Sequence, residues 1–173
     1  IDLVVSGMNG NGVSQTIFYR NSDGVLLRDE TNSESLVNLH NGALAWGDYD
    51  GDGDLDLAVS GENVTSSGGL NAVSEFYKND PSGTLELDGT MDAVNVKAGA
   101  LAWGDYDGDG RLDALAAVSR VASPTAGAEL VFTAELHRNT VSGFVLITAN
   151  PLSQAARVSA VAWADYDNDG QLD

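Results

Sequence analysis

The chain has 173 residues, 43% of them hydrophobic, and a formal net charge of −18 at pH 7. That hydrophobic content excludes a disordered acidic tail, and the length is enough for one sizeable domain or for several small units that share a core. The eight Lys and Arg residues are scattered, no apolar run reaches the roughly 20 residues of a membrane span, and cysteine is absent, so nucleic-acid binding, membrane insertion and disulfide chemistry are not expected.

Taken in chain order, the predicted elements are short strands. Each strand-like segment holds only four to seven residues and lies between Gly, Asn, Asp or Pro residues. The segment ALAAVSRVAS at 114–123 is the only candidate helix, but it aligns with the strand-like LDLAVSG at 55–61, which favours a strand running into a loop. The sequence therefore predicts an all-β chain, with further strands at GALAWGD (42–48 and again 99–105), EFYKN (75–79) and TLELDG (84–89).

Two residues that recur at nearly constant spacing indicate an internal repeat. An Asn ends the segments FYRN, FYKN and LHRN in steps of 58 and 60 residues, and a Trp lies two residues before an acidic loop in steps of 57 and 60. This period predicts three units, approximately 1–56, 57–113 and 114–173, each with room for four short strands and one long loop. The Trp residues are expected to pack between units. The recurring residues are Asn21, Asn79, Asn139, Trp46, Trp103 and Trp163.

Length varies in only one connection of each unit. From the last Asp of an acidic loop to the recurring Asn the distance is 19, 23 and 26 residues, whereas from that Asn to the next loop it is 27, 26 and 26. The variable connection is expected at the surface, where a ligand site would lie. Ile1–Asp2 and Leu172–Asp173 both match Leu55–Asp56, so we expect three repeats that are interrupted within an acidic loop at each end.

Three nine-residue loops, Asp48–Asp56, Asp105–Asp113 and Asp165–Asp173, hold half of the 26 acidic residues. Asp recurs at positions 1, 3, 5 and 9 and Gly at position 6, a spacing that brings carboxylates together when the backbone coils tightly. Position 7 is Asp, Arg or Gln, which predicts a backbone carbonyl as the ligand there. An all-oxygen site favours calcium over magnesium and zinc. The predicted calcium ligands, one ion per loop, are Asp48, Asp50, Asp52, Asp54 (carbonyl), Asp56, Asp105, Asp107, Asp109, Arg111 (carbonyl), Asp113, Asp165, Asp167, Asp169, Gln171 (carbonyl) and Asp173.

The loop backbone is expected to need left-handed residues. Position 6 is Gly in every copy, and position 4 is Gly or Asn, the residue types that adopt a positive φ most readily. An EF-hand would need Glu at position 12, but those positions hold Val59 and Ala116, and the flanking sequence is strand-like. Solvated acidic turns are the structural alternative, which three copies with one ligand spacing disfavour.

The repeat resembles the FG-GAP or VCBS-type repeat, the blade unit of integrin α-subunit β-propellers and of many bacterial and algal surface proteins. The residues that carry the resemblance are ALAWGDYDGDGDLDLAVSG followed by FYKN, and their later copies. Trp-Gly or Trp-Ala replaces the Phe-Gly signature and no Gly-Ala-Pro triplet occurs, which points towards the broader surface-protein group. The resemblance implies three four-stranded antiparallel propeller blades, part of a larger propeller or repeat assembly, with each calcium loop joining the first and second strands.

These observations predict a non-enzymatic, calcium-binding adhesion or structural module that is extracellular or at the cell surface. Its expected partners are other repeats of the same or a longer chain, with self-association or a protein or glycan ligand also open. Two alternatives are a subunit of an extracellular filament of stacked blades and a carbohydrate-binding or enzyme-accessory propeller, the latter disfavoured because the variable connections lack aromatic residues. No catalytic residue is predicted, since His40 and His137 have no partner at ligand spacing. Asn63 begins a glycosylation sequon.

Overall fold

The computed structural model describes residues 2–64, 68–88, 97–121, 130–149, 152, 158 and 160–172. Within these residues the elements are β-strands apart from one six-residue α-helix, which confirms the predicted all-β class. Its elements in chain order are β1 (Leu3–Met8), β2 (Ser14–Ser22), β3 (Val25–Arg28), α1 (Glu30–Ser35), β4 (His40–Gly47), β5 (Asp56–Val64), β6 (Leu70–Asn79), β7 (Leu85–Leu87), β8 (Lys97–Gly104), β9 (Asp113–Val121), β10 (Leu130–Thr140) and β11 (Gly143–Leu146).

The strands form three antiparallel sheets, each a meander of consecutive strands. Sheet 1 has the order β1-β2-β3, sheet 2 the order β4-β5-β6-β7 and sheet 3 the order β8-β9-β10-β11. Four strands per unit were expected, and sheets 2 and 3 have them. Sheet 1 has three, because no strand pairs with the free edge of β1 in the described part of the chain.

Sheets 2 and 3 are built on the same register. Trp46 lies opposite Leu57 in sheet 2, and Trp103 lies opposite Ala114 in sheet 3. The acidic loops run from the end of β4 to the start of β5 and from the end of β8 to the start of β9, so each joins a first strand to a second strand. Each four-stranded sheet therefore takes its first strand from the end of one sequence repeat and the other three from the next.

The sheets pack on one another through aromatic side chains. β4 contacts β1 of sheet 1 and β8 of sheet 3. The Trp103 ring stacks on Tyr49 with centroids 5.8 Å apart, and Phe18 meets Trp46 edge to face at 6.1 Å. These Trp side chains therefore pack between units, as the sequence predicted. Within the described residues the sheets form no closed barrel or propeller, so the blade arrangement stays a prediction.

Glycine makes close packing of the sheets possible. A Cβ at Gly47 would lie 2.6 Å from Cδ1 of Trp103, and a Cβ at Gly104 would lie 2.6 Å from Cδ1 of Trp163. Since carbon atoms normally stay over 3 Å apart, each Trp ring occupies the space that a side chain at the glycine would need. The same contact thus recurs at two successive unit boundaries.

Helix α1 was not predicted, because its sequence ETNSES has no apolar periodicity. Polar contacts hold it instead. Asp29 caps its N-terminus by accepting the backbone N–H of Asn32 at 3.1 Å. The Asn32 side chain, 1% exposed, then donates to the Gly83 carbonyl at 2.9 Å and accepts the Leu85 N–H at 2.8 Å, which fixes the helix to sheet 2.

Candidate metal centre

The acidic loops adopt the coiled backbone that their sequence predicts. Position 6 has positive φ in all three copies, 97° at Gly53 and 88° at both Gly110 and Gly170. Position 4 does the same, including the non-glycine Asn168 at 60°. Left-handed residues at these two positions turn the chain back on itself, so that carboxylates separated in sequence face one centre.

The Asp at position 1 organises each loop from within. Asp48 accepts the N–H of Gly51 at 2.8 Å with one oxygen and that of Gly53 at 3.0 Å with the other. In the second loop Asp105 accepts the N–H groups of Asp109 and Gly110 at 3.0 and 2.8 Å. The third loop repeats this at Asp165, which accepts from Asp169 and Gly170 at 3.1 and 2.9 Å. In all three loops the position-1 carboxylate thus accepts the N–H of position 6, and its other oxygen accepts that of position 4 in the first loop or position 5 in the other two.

The Asp at position 9 is buried at the base of the loop. Asp56 and Asp113 both have 0% exposure. One oxygen of Asp56 accepts the Tyr49 N–H at 3.1 Å, and the other accepts the Asn79 N–H at 2.9 Å. Asp113 makes the same pair of bonds, with Tyr106 at 3.1 Å and Asn139 at 2.7 Å. The recurring Asn is thus the residue whose backbone N–H donates to the carboxylate at position 9.

Burial changes the acidity of this position. Burial is the main cause that raises the pKa of Asp56 to about 6, with the carboxylates of Asp50 and Asp52 adding to it against the opposing backbone hydrogen bonds. Burial likewise raises the pKa of Asp113, helped by Asp107 and Asp109. A carboxylate whose charged form is disfavoured in this way gains from a nearby cation.

Three groups of carboxylates can hold a metal ion. In each group one oxygen per residue lies within 4.8 Å of the others, and the groups are Asp48, Asp50 and Asp56, then Asp105, Asp107 and Asp113, then Asp165, Asp167 and Asp169. Positions 1 and 3 converge in all loops, whereas position 5 joins them only in the third. The position-5 carboxylate accepts the N–H of position 7 in all three loops, at 3.0, 3.1 and 2.9 Å. Asp173 lies outside the described residues, and the carbonyl role of Asp54, Arg111 and Gln171 stays a prediction.

Sequence reasoning missed the basic side chains that face these loops. Lys78 donates to Asp50 and lies 3.6 Å from Asp52. Arg138 pairs with Asp107 at 2.6 Å and with Asp109 at 3.3 Å, and Arg111 also pairs with Asp109. The signal was present, because a basic residue precedes the recurring Asn in every repeat, at Arg20, Lys78 and Arg138.

The donor set fits calcium. The groups consist of carboxylate oxygens, and atoms within 4.8 Å of one another are close enough to share one ion at calcium–oxygen distances of roughly 2.4 Å. No His or Cys belongs to these groups in the described chain, so the nitrogen and sulfur donors that zinc prefers do not contribute. When bound, such an ion neutralises the mutual repulsion of the carboxylates.

Neither histidine belongs to the three carboxylate groups of the described chain. His40 is 5% exposed and its Nδ1 lies 2.8 Å from Oγ of Ser14, which is 6% exposed. His137 Nε2 lies 3.3 Å from Oε2 of Glu135. The hydrogen bond of this buried Ser–His pair joins β2 to β4.

A scan of the chain against protein-family models gave no match, and no characterised protein matches its sequence. Among the described residues there is no helix with the length and apolar character of a membrane span. The resemblance to FG-GAP or VCBS repeats therefore rests on the sequence motifs alone.

Proposed function

We propose that this chain is a non-enzymatic, calcium-braced repeat module of an extracellular adhesion or structural protein, and that its sheets are blades of the FG-GAP type. One calcium ion is assigned to each acidic loop. The main support is that a buried position-9 carboxylate, Asp56 or Asp113, places an oxygen within 4.8 Å of carboxylate oxygens at positions 1 and 3.

The energetics support bound cations. Without a metal, each loop gathers several carboxylates around one centre, where they repel one another, and Lys78 and Arg138 at the rims of the first two loops offset part of that repulsion. A cation bound between positions 1, 3 and 9 connects the start of each loop with the buried residue that begins the next strand. The ion would thereby fix the hairpin between the first and second strands of a sheet. Multi-carboxylate sites on such loops suit the weak affinities typical of extracellular modules.

The test is thermal unfolding of the chain with calcium in the millimolar range, with magnesium, and with chelator. Calcium should raise the unfolding temperature more than magnesium does, and titration calorimetry should show binding by the folded chain. A matched variant is Asp48→Asn/Asp50→Asn, which should remove one site and part of the stabilisation. An unfolding temperature that is the same in calcium and in chelator would refute the proposal.

A further inference from the structure

In the described chain β1 has a neighbouring strand on one side only, whereas the corresponding strands of sheets 2 and 3 have neighbours on both sides. β1 corresponds to β5, the strand that pairs with β4. Leu57 and Val59 in β5 are 0% and 1% exposed, whereas their counterparts Leu3 and Val5 in β1 are 41% and 42% exposed. Exposed apolar residues and unpaired backbone groups on a sheet edge favour pairing with another strand.

A cavity of about 400 Å³ lies beside this edge, between sheets 1 and 2, and is lined by Asp2, Phe18, Trp46, Leu85 and Asn79 among others. The corresponding place between sheets 2 and 3 is filled by Tyr49 from the acidic loop. Its ring lies 6.0 Å from Phe76, 5.8 Å from Trp103 and 5.8 Å from Phe144. These three residues correspond in the repeat to Phe18, Trp46 and Leu85. The cavity is therefore lined by the counterparts of the residues that surround Tyr49, but no tyrosine ring fills it.

Polar groups around the cavity match the same occupant. The Asn139 side chain donates to the Tyr49 carbonyl at 2.7 Å, and its counterpart Asn79 lines the cavity. Asp2 accepts the Asn21 N–H at 2.8 Å through Oδ1, as Asp56 does with Asn79. In the complete loops the second oxygen accepts the N–H of the loop tyrosine.

Charge points to an acidic loop as well. Lys78 and Arg138 each pair with the carboxylates at positions 3 and 5 of the loop beside them. Their counterpart at the incomplete boundary is Arg20, whose side chain is 48% exposed and pairs with Asp29 at 2.7 Å. The expected occupant is thus a strand ending in Trp, followed by an Asp-Tyr-Asp loop.

We propose that residues 160–172 of a second copy of this chain, here called the tail, occupy this place. Ala160–Ala164 corresponds to the first strands β4 and β8 at Ala43–Gly47 and Ala100–Gly104, yet it belongs to no sheet in the described structure. Paired with β1 of the second copy in the register of sheet 2, Trp163 would lie opposite Leu3 and Val161 opposite Val5. Tyr166, 78% exposed in this chain, would then enter the cavity, and Asp167 and Asp169 would face Arg20.

The occupant comes from another copy because the tail is held at the far end of the same chain. The Trp163 ring lies against Gly104 of sheet 3, and sheet 2 contacts both sheet 3 and sheet 1. Tail and β1 are thus separated by the thickness of the stacked sheets. Pairing between unlike surfaces of successive copies is heterologous and continues from copy to copy. This inference does not depend on the proposed calcium sites.

The boundary between copies differs from the internal ones at one residue. Ala164 stands where the other units have Gly47 and Gly104, so its Cβ would face the Trp46 ring of the second copy. Trp46 lines the cavity and has room to move, but the contact is less close than between sheets 2 and 3. Association should therefore be reversible, and Ala164→Gly should tighten it by at least about fivefold, the effect of relieving an overpacked contact.

Disulfide trapping tests the pairing, since the chain has no cysteine. We would mix the variants Val5→Cys and Val161→Cys of this chain under oxidising conditions, in calcium and in chelator. A covalent dimer of the two variants is expected, because residues directly opposite on paired strands have Cβ atoms close enough for a disulfide. Val141→Cys replaces Val161→Cys in the control, since Val141 is 96% exposed and lies outside the tail.

Absence of the Val5–Val161 dimer in both conditions would overturn the inference, and so would equal trapping of the Val141 control. A double variant with both cysteines that forms a disulfide within a monomer would assign the tail to its own β1 and also overturn it. Sedimentation of the unmodified chain should show mass rising with concentration, weakened at least about tenfold by Tyr166→Ala. The response of thermal stability to calcium is measured separately, so a failure here leaves the proposed function untouched.

Discussion

The backbone N–H of Asn79 donates to the buried carboxylate of Asp56 across 2.9 Å, and the two residues are 23 positions apart in the chain. The same bond spans 26 positions between Asn139 and Asp113 and 19 positions to Asp2 in the first unit. The hairpin between the bonded residues thus changes length from unit to unit while its base stays fixed. Hairpins of different length are tolerated because the acidic loop fixes their base.

Replacing Asp56 should expose the role of that bond. Asp56→Asn keeps the side chain's size but turns one of two acceptors into a donor that faces a backbone N–H. We expect the free energy of unfolding in chelator to fall by roughly 1–3 kcal/mol, the effect of leaving a buried donor unsatisfied. Urea denaturation measures it. Asp54→Asn is the control, because position 7 is assigned a carbonyl ligand, and an equal loss in stability or calcium binding for that variant would contradict the assignment.

The stability of the metal-free chain should increase as the pH falls from about 7 to about 5. Asp56, with a pKa of about 6, and Asp113, with a raised pKa, keep protons in the folded state where the unfolded chain has released them. Protonation in this range therefore favours the folded chain. Thermal unfolding in chelator at several pH values measures the trend, and Asp56→Asn should flatten it. A fall in stability over the same range would contradict the placement of these carboxylates. Saturating calcium should reverse the trend, since the ion binds the ionised carboxylates.

Lys78 should compete with calcium for the first loop. Its ammonium group donates to Asp50, and that carboxylate raises the pKa of Lys78. Lys78→Met removes a positive charge next to the site, so calcium should bind this loop severalfold more tightly while the metal-free chain loses some stability. Titration calorimetry measures the affinity. Arg28→Met removes a charge that pairs with Glu30 instead, and it should leave calcium binding unchanged.

Gly47→Ala should weaken the packing between sheets 2 and 3. The added Cβ would lie 2.6 Å from the Trp103 ring, so either the ring or the strand must move. We expect a loss of roughly 1–3 kcal/mol in the free energy of unfolding, with a change in tryptophan fluorescence, as for an overpacked core. Gly10→Ala provides the comparison, because no atom lies within 4 Å of a Cβ at Gly10. Equal effects at both positions would mean that the Trp103 contact is not the cause.

Much of the local structure was readable in the sequence because local forces decide it. Short apolar segments bounded by Gly and Asn became strands, and Gly53 and Gly110 took the left-handed backbone that the loop spacing demanded. The carboxylates at positions 1 and 3 converge for the same reason, since the loop itself brings them together. Even the boundary role of Trp103 followed from its regular recurrence.

What could not be read depends on contacts between distant segments. Asp56 was expected as a ligand, but its complete burial and its hydrogen bond from Asn79, on another strand, were not. Helix α1 forms only because Asn32 finds polar partners on sheet 2. Closure into a ring depends on the angle between packed sheets, and the volumes of many side chains determine that angle together rather than any motif.

The bare glycine surfaces at Gly47 and Gly104 carry a consequence for how such a protein can evolve. Each glycine makes room for the indole ring of the next unit. A duplicated unit would therefore fit against its neighbours on both sides. Arrays of different lengths can then arise by unequal recombination without redesigning a single contact. Alanine in place of glycine at such a position, as at Ala164, would weaken the packing between two units at that one boundary.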